Sequence, residues 1–180
     1  MVIPRGLKPA RLLVDHISLF EDISPNGPAL DLACGDGHNG IFLALQGLEV
    51  ILCDKSQRAL ERSRELAEQN HISVERWQVD LEQEGVSPLP PDFFAAIIVF
   101  RYLHRALIPD IKLALKKKGV LIYETFTTAQ AKLGKPKNPD FLLKTGELLS
   151  WFQDWEVLHH FEGTLENPAR AVSQIVCRKP

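Results

Sequence analysis

Residues 29–40 read ALDLACGDGHNG, an apolar stretch that runs directly into a loop with three glycines. The stretch 29–34 has the length of a short buried strand, and residues 39–46 have a helical pattern that ends at Gly47. Glycine lets a backbone approach a ligand closely, because no Cβ intervenes. A strand, a glycine loop and a helix in this order indicate a nucleotide-type site, although GDGHNG alone matches GxGxxG only weakly.

Strand and helix patterns alternate from this loop toward both ends of the chain. We predict further strands at 48–53, 74–79, 93–100 and 119–125, and helices at 9–20, 56–69 and 105–117. A last helix at 145–152 precedes two strands, 155–161 and 171–178, which a turn forces to run antiparallel. The pattern predicts an α/β fold, a single Rossmann-like, doubly wound sheet that is mostly parallel with an antiparallel edge strand. A ligand is then expected beyond the carboxyl ends of the strands.

The 180 residues have the length of one domain, which we place at 1–180. Residues 1–24 form its predicted N-terminal helical segment. Residues 127–142 form a polar loop with Lys132, Lys135 and Lys137, a candidate lid over the substrate or a plain solvated loop. Monomer and homodimer both stay open.

Composition excludes several classes of protein. The net charge of −2 gives no electrostatic footprint for nucleic acid, and the lysines of the loop 127–142 are the only support for an RNA acceptor. The longest apolar run has eight residues and the N-terminus lacks a signal-peptide core, so no membrane partner is predicted. The three separated cysteines indicate neither a disulfide framework nor a zinc site. A reducing, cytoplasmic setting is the simplest interpretation.

Acidic residues lie where the first three predicted strands end. Asp31 sits inside the first strand and Asp36 in the loop, where carboxylates favour a cation such as a sulfonium over a pyrophosphate. Asp54 ends the second strand and can accept from ribose hydroxyls, and Asp80 ends the third and can accept from an adenine amino group. Structural alternatives are a backbone cap for Asp31, a helix N-cap for Asp54 and a surface acid for Asp80.

DLACGDG resembles the first motif of class I S-adenosylmethionine-dependent methyltransferases, usually D-L-G-C-G-x-G. The segments CDKS, VDL at 79–81 and LKKKGVLIYETF at 115–126 follow in the order of that family's later motifs. The loop DLACGDGHNG, Asp54-Lys55, Val79-Asp80-Leu81, and GEL at 146–148 followed by Trp155-Glu156 are similar to the small tellurite-resistance-type methyltransferases. The resemblance implies the seven-stranded methyltransferase fold with S-adenosyl-L-methionine as its cofactor.

The resemblance also implies roles for individual residues. Asp31 and the backbone of Gly35–Gly37 would hold the methionyl end, Asp54 the ribose, and Asp80 with the Leu81 amide the adenine. Phe100 would lie close to the transferable methyl. Ala33 stands where the motif has its first glycine, which a single added methyl should allow. The cofactor-binding set is then Asp31, Ala33, Gly35, Gly37, Asp54, Lys55, Asp80, Leu81 and Phe100.

The implied reaction is in-line methyl transfer to a small-molecule acceptor, with no metal and no protein nucleophile. A hydroxyl acceptor would need a base, for which His104, Tyr123 and Glu124 are the candidates. Tyr123 and Glu124 point to opposite faces of their strand, so one of them lines the site at most. His38 and Asn39 either cap the helix or face the substrate. Two other functions stay open, a nicotinamide-dependent oxidoreductase that uses GDGHNG and a binding module without transfer.

Overall fold

The carboxyl ends of five parallel strands meet at one edge of a sheet in the computed structural model, which describes residues 3–4, 6–21, 27–83 and 88–180. Among these residues the sheet has seven strands in the order β3-β2-β1-β4-β5-β7-β6. Their bounds are β1 Ala29–Leu32, β2 Val50–Asp54, β3 Glu75–Gln78, β4 Phe94–Phe100, β5 Leu115–Phe126, β6 Glu156–Leu165 and β7 Arg170–Arg178.

Strand β7 is antiparallel to both of its neighbours, β5 and β6. The first five strands pair in parallel. The predicted doubly wound, mostly parallel sheet with an antiparallel edge is therefore confirmed.

Helices cover both faces of the sheet. They are α1 Arg11–Asp15, α2 His38–Leu45, α3 Gln57–Gln69, α4 Ile108–Ala114, α5 Gln130–Leu133 and α6 Glu147–Phe152. Side chains of α1, α2 and α3 pack in one apolar cluster, and those of α4 and α6 pack in the other. Strand β4 is buried along nearly its whole length, with Ile97 in one cluster and Ile98 in the other, as its apolar run predicts. No helix in the described ranges has the length and apolar character of a membrane span.

Two helices are shorter than the sequence pattern predicts. The segment 9–20 divides into α1 and a 3₁₀ turn, Ile17–Phe20, because the backbone of His16 leaves the helical region at φ −114°. The segment 105–117 begins as a 3₁₀ turn, Arg105–Leu107, and α4 ends at Ala114. Strand β5 takes the next residues, since its pairing with β4 starts at Leu115 and resumes, after an irregularity, at Val120.

Candidate functional site

The loop after β1 turns through three residues with left-handed backbone conformations. Ala33, Gly35 and Gly37 have φ values of 55°, 53° and 78°. A Cβ on Gly37 would lie 2.9 Å from the Cβ of Ser63, so packing requires glycine there. A Cβ on Gly35 would meet nothing within 4 Å, so that side of the loop is open to a ligand. Ala33 holds its conformation at a cost of about 1 kcal/mol, a strain that the structure around it must sustain.

Asp31 lies beneath this loop and not in the wall of a cleft. The residue is 1% exposed, and its Oδ2 accepts a hydrogen bond of 2.7 Å from the Gly40 amide. Burial raises the pKa of the Asp31 carboxyl to about 7, which the Gly40 bond opposes and the charge of Asp54 reinforces. A Cβ on Gly40 would overlap Leu52 and lie 3.0 Å from the Asp31 carboxylate. Glycine at position 40 is therefore what allows the helix α2 to approach the acid.

Asp54 joins the glycine loop to the end of β2. Its Oδ2 accepts from the Gly35 amide at 2.9 Å, and its Oδ1 accepts from the Ser56 amide at 2.8 Å. Ser56 is the N-cap of α3, because its Oγ accepts from the Ala59 amide. Asp54 is thus not the helix cap. Each carboxylate oxygen keeps a second lone pair, with which the half-buried side chain can accept from hydroxyl groups.

A first cleft of about 280 Å³ lies along the ends of β1, β2 and β3. It contains five of the residues predicted to bind a cofactor, which are Ala33, Asp54, Lys55, Asp80 and Leu81. The carboxyl ends of adjacent parallel strands bring these residues together from three separate segments of sequence. Asp80 stays exposed enough to bind a ligand, while its Oδ1 accepts from the Glu82 amide at 3.0 Å.

A second cleft of about 650 Å³ continues from the first past Ala33 and Arg101. Its walls include Gly35, Phe100 and Glu124, together with residues 8–11 of the N-terminal segment. Gly35, predicted for the methionyl end, thus shares one space with Phe100, predicted beside the transferable methyl, whereas Asp31 and Gly37 line neither cleft.

His38 and Asn39 hold the N-terminal segment over this second cleft. The His38 Nδ1 accepts from the Lys8 amide at 3.3 Å, and the Asn39 Oδ1 accepts from the Ala10 amide at 2.7 Å. Burial lowers the pKa of His38, which suits a neutral ring that accepts a hydrogen bond. Both side chains also line the cleft, so each has a structural contact and a face toward a possible ligand.

The three candidate bases lie in different surroundings. Glu124 is 3% exposed, lines the second cleft, accepts from the Gln174 amide group and pairs with Arg170 at 3.9 Å. Tyr123 lies in the core, where its hydroxyl donates to the Tyr102 carbonyl at 3.1 Å and burial raises its pKa. His104 precedes the 3₁₀ turn at 105–107 and lines neither cleft. The geometry favours Glu124.

Comparison with known proteins identifies the family of the chain. The family described as "Tellurite resistance protein TehB" matches residues 11–169. The chain belongs to the TehB family.

Two curated relatives share less than a third of their residues with this chain over the matched regions. The chain is 26% identical over 151 residues to the probable S-adenosyl-L-methionine-dependent methyltransferase TehB of Haemophilus influenzae strain Rd, covering 82% of this chain and 52% of the relative. It is 29% identical over 154 residues to hemagglutinin 1 of Eikenella corrodens, covering 82% of this chain and 50% of the relative. The chain thus spans about half the length of these curated relatives.

The fold is shared with a solved member of the family. The crystal structure of TehB from Haemophilus influenzae superposes with a TM-score of 0.70 at 21% identity, covering 92% of this chain and 62% of the other. The seven-stranded methyltransferase fold predicted from the resemblance is therefore confirmed.

Two arginines of this TehB-family chain escaped the sequence analysis as site residues. Arg101 directly follows β4, has a left-handed φ of 59° and lines both clefts. Its position directly after an uninterrupted apolar strand could have indicated a site residue, since ligands bind at the carboxyl ends of parallel strands. Arg170 begins β7 and reaches Glu124 across the sheet. Nothing near Arg170 in the sequence indicates that contact, because it depends on the pairing of β5 with β7.

Arg105 anchors the segment 127–142 to the rest of the domain. Its guanidinium binds both carboxylate oxygens of Glu147, at 2.7 and 2.9 Å, and also donates to the carbonyls of Asp140 and Leu142. This arrangement lowers the pKa of Glu147. The predicted polar loop also contains α5 and a 3₁₀ turn, Pro139–Phe141, so its path is fixed by local structure as well.

Proposed function

We propose that this chain is an S-adenosylmethionine-dependent methyltransferase that acts on a small-molecule acceptor. The observation that carries the proposal is the pair of connected clefts, which gathers acids from the ends of β2 and β3 next to an open glycine loop. Membership of the TehB family and the shared fold support it.

The residues present fit the cofactor. The open side of Gly35 leaves room for a ligand backbone, and the carboxylates of Asp54 and Asp80 can accept from ribose hydroxyls and an adenine amino group. Lys55 and the Leu81 amide complete the first cleft. When bound, the cofactor supplies a methyl group on a positively charged sulfur. Asp31 lies beneath the loop with its pKa raised to about 7 by burial, and its ionised form would attract an α-ammonium group.

The chain contributes positioning and one basic group to transfer. Phe100 forms an apolar wall beside the predicted position of the methyl, and Glu124 faces the same cleft. Gln174 and Arg170 orient the Glu124 carboxylate from β7. This carboxylate is the candidate to accept a proton from a hydroxyl or thiol acceptor. An acceptor that is already an anion needs no such base.

We further propose that residues 1–180 form a single methyltransferase domain, that 127–142 act as its substrate lid, and that it works in the cytoplasm as a monomer or homodimer. The three free cysteines, two of them buried, are consistent with a reducing compartment. The contacts of Arg105 support the lid, because they fix its end while residues 135–141 stay mostly exposed.

Formation of S-adenosylhomocysteine tests the proposal directly. Pure protein is incubated with S-adenosylmethionine and with sodium tellurite, sodium selenite or small thiols, since the family description names tellurite resistance. We expect acceptor-dependent product with at least one of these, and less with Glu124→Gln wherever the acceptor must lose a proton. Binding of the cofactor without product from any acceptor would favour the binding module instead.

A further inference from the structure

A third cleft, of about 720 Å³, opens between the end of β4 and the segment 127–142. Its walls are largely apolar and include the rings of Tyr102, Phe126 and Phe141 with the side chain of Leu103. Phe141 is 51% exposed, so its ring is accessible to a ligand in this cleft. This volume lies in the range of small-molecule sites and is several times larger than a bare inorganic oxyanion needs.

The third cleft is positively charged as well as apolar. Arg101, Lys135 and Lys137 line it, against a single acid, Glu82. In the part of the chain that the structure describes, Glu82 pairs with Lys55 at 3.5 Å, and no ion pair involves the other three side chains. Apolar walls with unneutralised cations suit an organic anion with a bulky apolar body.

Arg101 connects this space to the proposed cofactor site. It lines the third cleft and both of the others, and it directly follows Phe100. The two lysines belong to the other group of lining residues, in the segment 127–142. A ligand that fills the cleft would therefore have one end beside Arg101 and the other beside Lys135 and Lys137.

From this arrangement, and on the basis of the proposed function, we infer that the third cleft binds the methyl acceptor and that the acceptor is an aromatic thiol or phenol with an anionic group at its far end. Its ring packs among Phe126, Phe141 and Leu103. Its anionic group binds Lys135 and Lys137, and its reacting atom lies next to Arg101. With an ionised thiol, the sulfur lone pair forms the new bond to the methyl carbon. The methyl–sulfonium bond breaks, its electron pair stays on the donor sulfur, and no proton is released.

Calorimetric titration with two matched thiols tests the inference. 4-Mercaptobenzoate has the ring, the nucleophile and the anionic end, and 4-methylbenzenethiol has the same ring and nucleophile with a methyl group in place of the carboxylate. Each is titrated at pH 8 under reducing conditions into the protein, with and without saturating S-adenosylhomocysteine. We expect 4-mercaptobenzoate to bind at least tenfold more tightly than the analogue without the carboxylate, and its methyl thioether to form when S-adenosylmethionine replaces the product.

Variants separate the charge from the apolar wall. We expect the double variant Lys135→Gln/Lys137→Gln to weaken 4-mercaptobenzoate about tenfold and to leave the analogue within twofold. Phe141→Ala should weaken both thiols about tenfold. The controls are Lys117→Gln/Lys144→Gln, which removes two charges elsewhere, and Leu113→Ala, which removes an exposed apolar side chain from α4. Neither control should change the affinity for either thiol.

The outcomes distinguish this inference from the proposed function. Equal affinity for the two thiols, or affinities that the cleft variants leave unchanged, would overturn the inference even where S-adenosylhomocysteine binds normally. Failure to bind S-adenosylhomocysteine would overturn the proposed cofactor site, and the titrations without it would then still show whether the cleft takes the charged thiol.

Discussion

Replacing Asp31 with asparagine should change how the stability of the fold depends on pH. The wild-type carboxyl is 1% exposed and has its pKa raised to about 7 from an ordinary value of 3.8. Well below pH 3.8 the group is protonated in both the folded and the unfolded chain. Between about pH 4 and 7 the unfolded chain ionises first, so the free energy of unfolding falls as the pH rises.

The size of this effect follows from the pKa. At 1.36 kcal/mol for each pH unit, a rise from 3.8 to about 7 corresponds to about 4 kcal/mol of stability lost by pH 7.5. That is a large share of the 5–15 kcal/mol, roughly, that holds a typical domain folded. Asparagine has nearly the same shape, can still accept from the Gly40 amide and does not ionise, so this loss should disappear in the variant.

Urea unfolding of both proteins at half-unit intervals from pH 4 to pH 8 measures the effect. We expect the wild type to lose about 4 kcal/mol of unfolding free energy between pH 4 and pH 8, relative to Asp31→Asn at the same pH. Repeating the series in 1 M NaCl is the control, because burial is the main cause of the raised pKa and salt screens a buried group little. Parallel curves for the two proteins would refute the claim that the folded state holds this carboxyl neutral.

Three further substitutions probe the loop, the helix behind it and the lid. Asp54→Ala should weaken S-adenosylmethionine binding roughly 10- to 150-fold in calorimetry, from about 1.5–3 kcal/mol of lost charge-assisted hydrogen bonds, while Glu61→Gln on α3 leaves it unchanged. An unaltered Kd would mean that the cofactor lies elsewhere. Gly40→Ala should lower the unfolding free energy by about 2 kcal/mol, because the added methyl overlaps Leu52, even though alanine favours helices more than glycine does. Gly47→Ala should cost less, since position 47 has a left-handed backbone but open space around it. The reverse order would contradict the packing of α2 on β1. Arg105→Lys should cost about 1 kcal/mol, since the pair with Glu147 is partly exposed, and should speed proteolysis within 134–142. Unchanged proteolysis would show that Arg105 does not hold the lid.

Local signals in the sequence were sufficient for the sheet and for the first cleft. The apolar run at 93–100 predicts the buried β4, and Ser56 begins α3 where the pattern starts. Asp54 and Asp80 meet because each ends a parallel strand, which follows from the order of elements alone. Five of the residues predicted for the cofactor therefore lie in one cleft, and the order of elements is enough to predict that they do.

Contacts between distant segments were beyond the sequence. Asn39 accepts a hydrogen bond from the Ala10 amide, and Arg170 pairs with Glu124 because β7 lies beside β5. Arg105 binds Glu147, 42 residues away in the chain, and so fixes the end of the segment 127–142 that lines the third cleft. No periodicity or motif encodes such pairs, since each depends on how whole elements pack.

Calorimetric titration of the pure protein with S-adenosylmethionine and S-adenosylhomocysteine, with NADH as the control, tests the central claim most directly. The clefts that join Asp54, Asp80 and the Gly35 loop predict that the first two ligands bind at a single site and that NADH does not. Binding of NADH alone would contradict the account and make the oxidoreductase the better interpretation of the glycine loop.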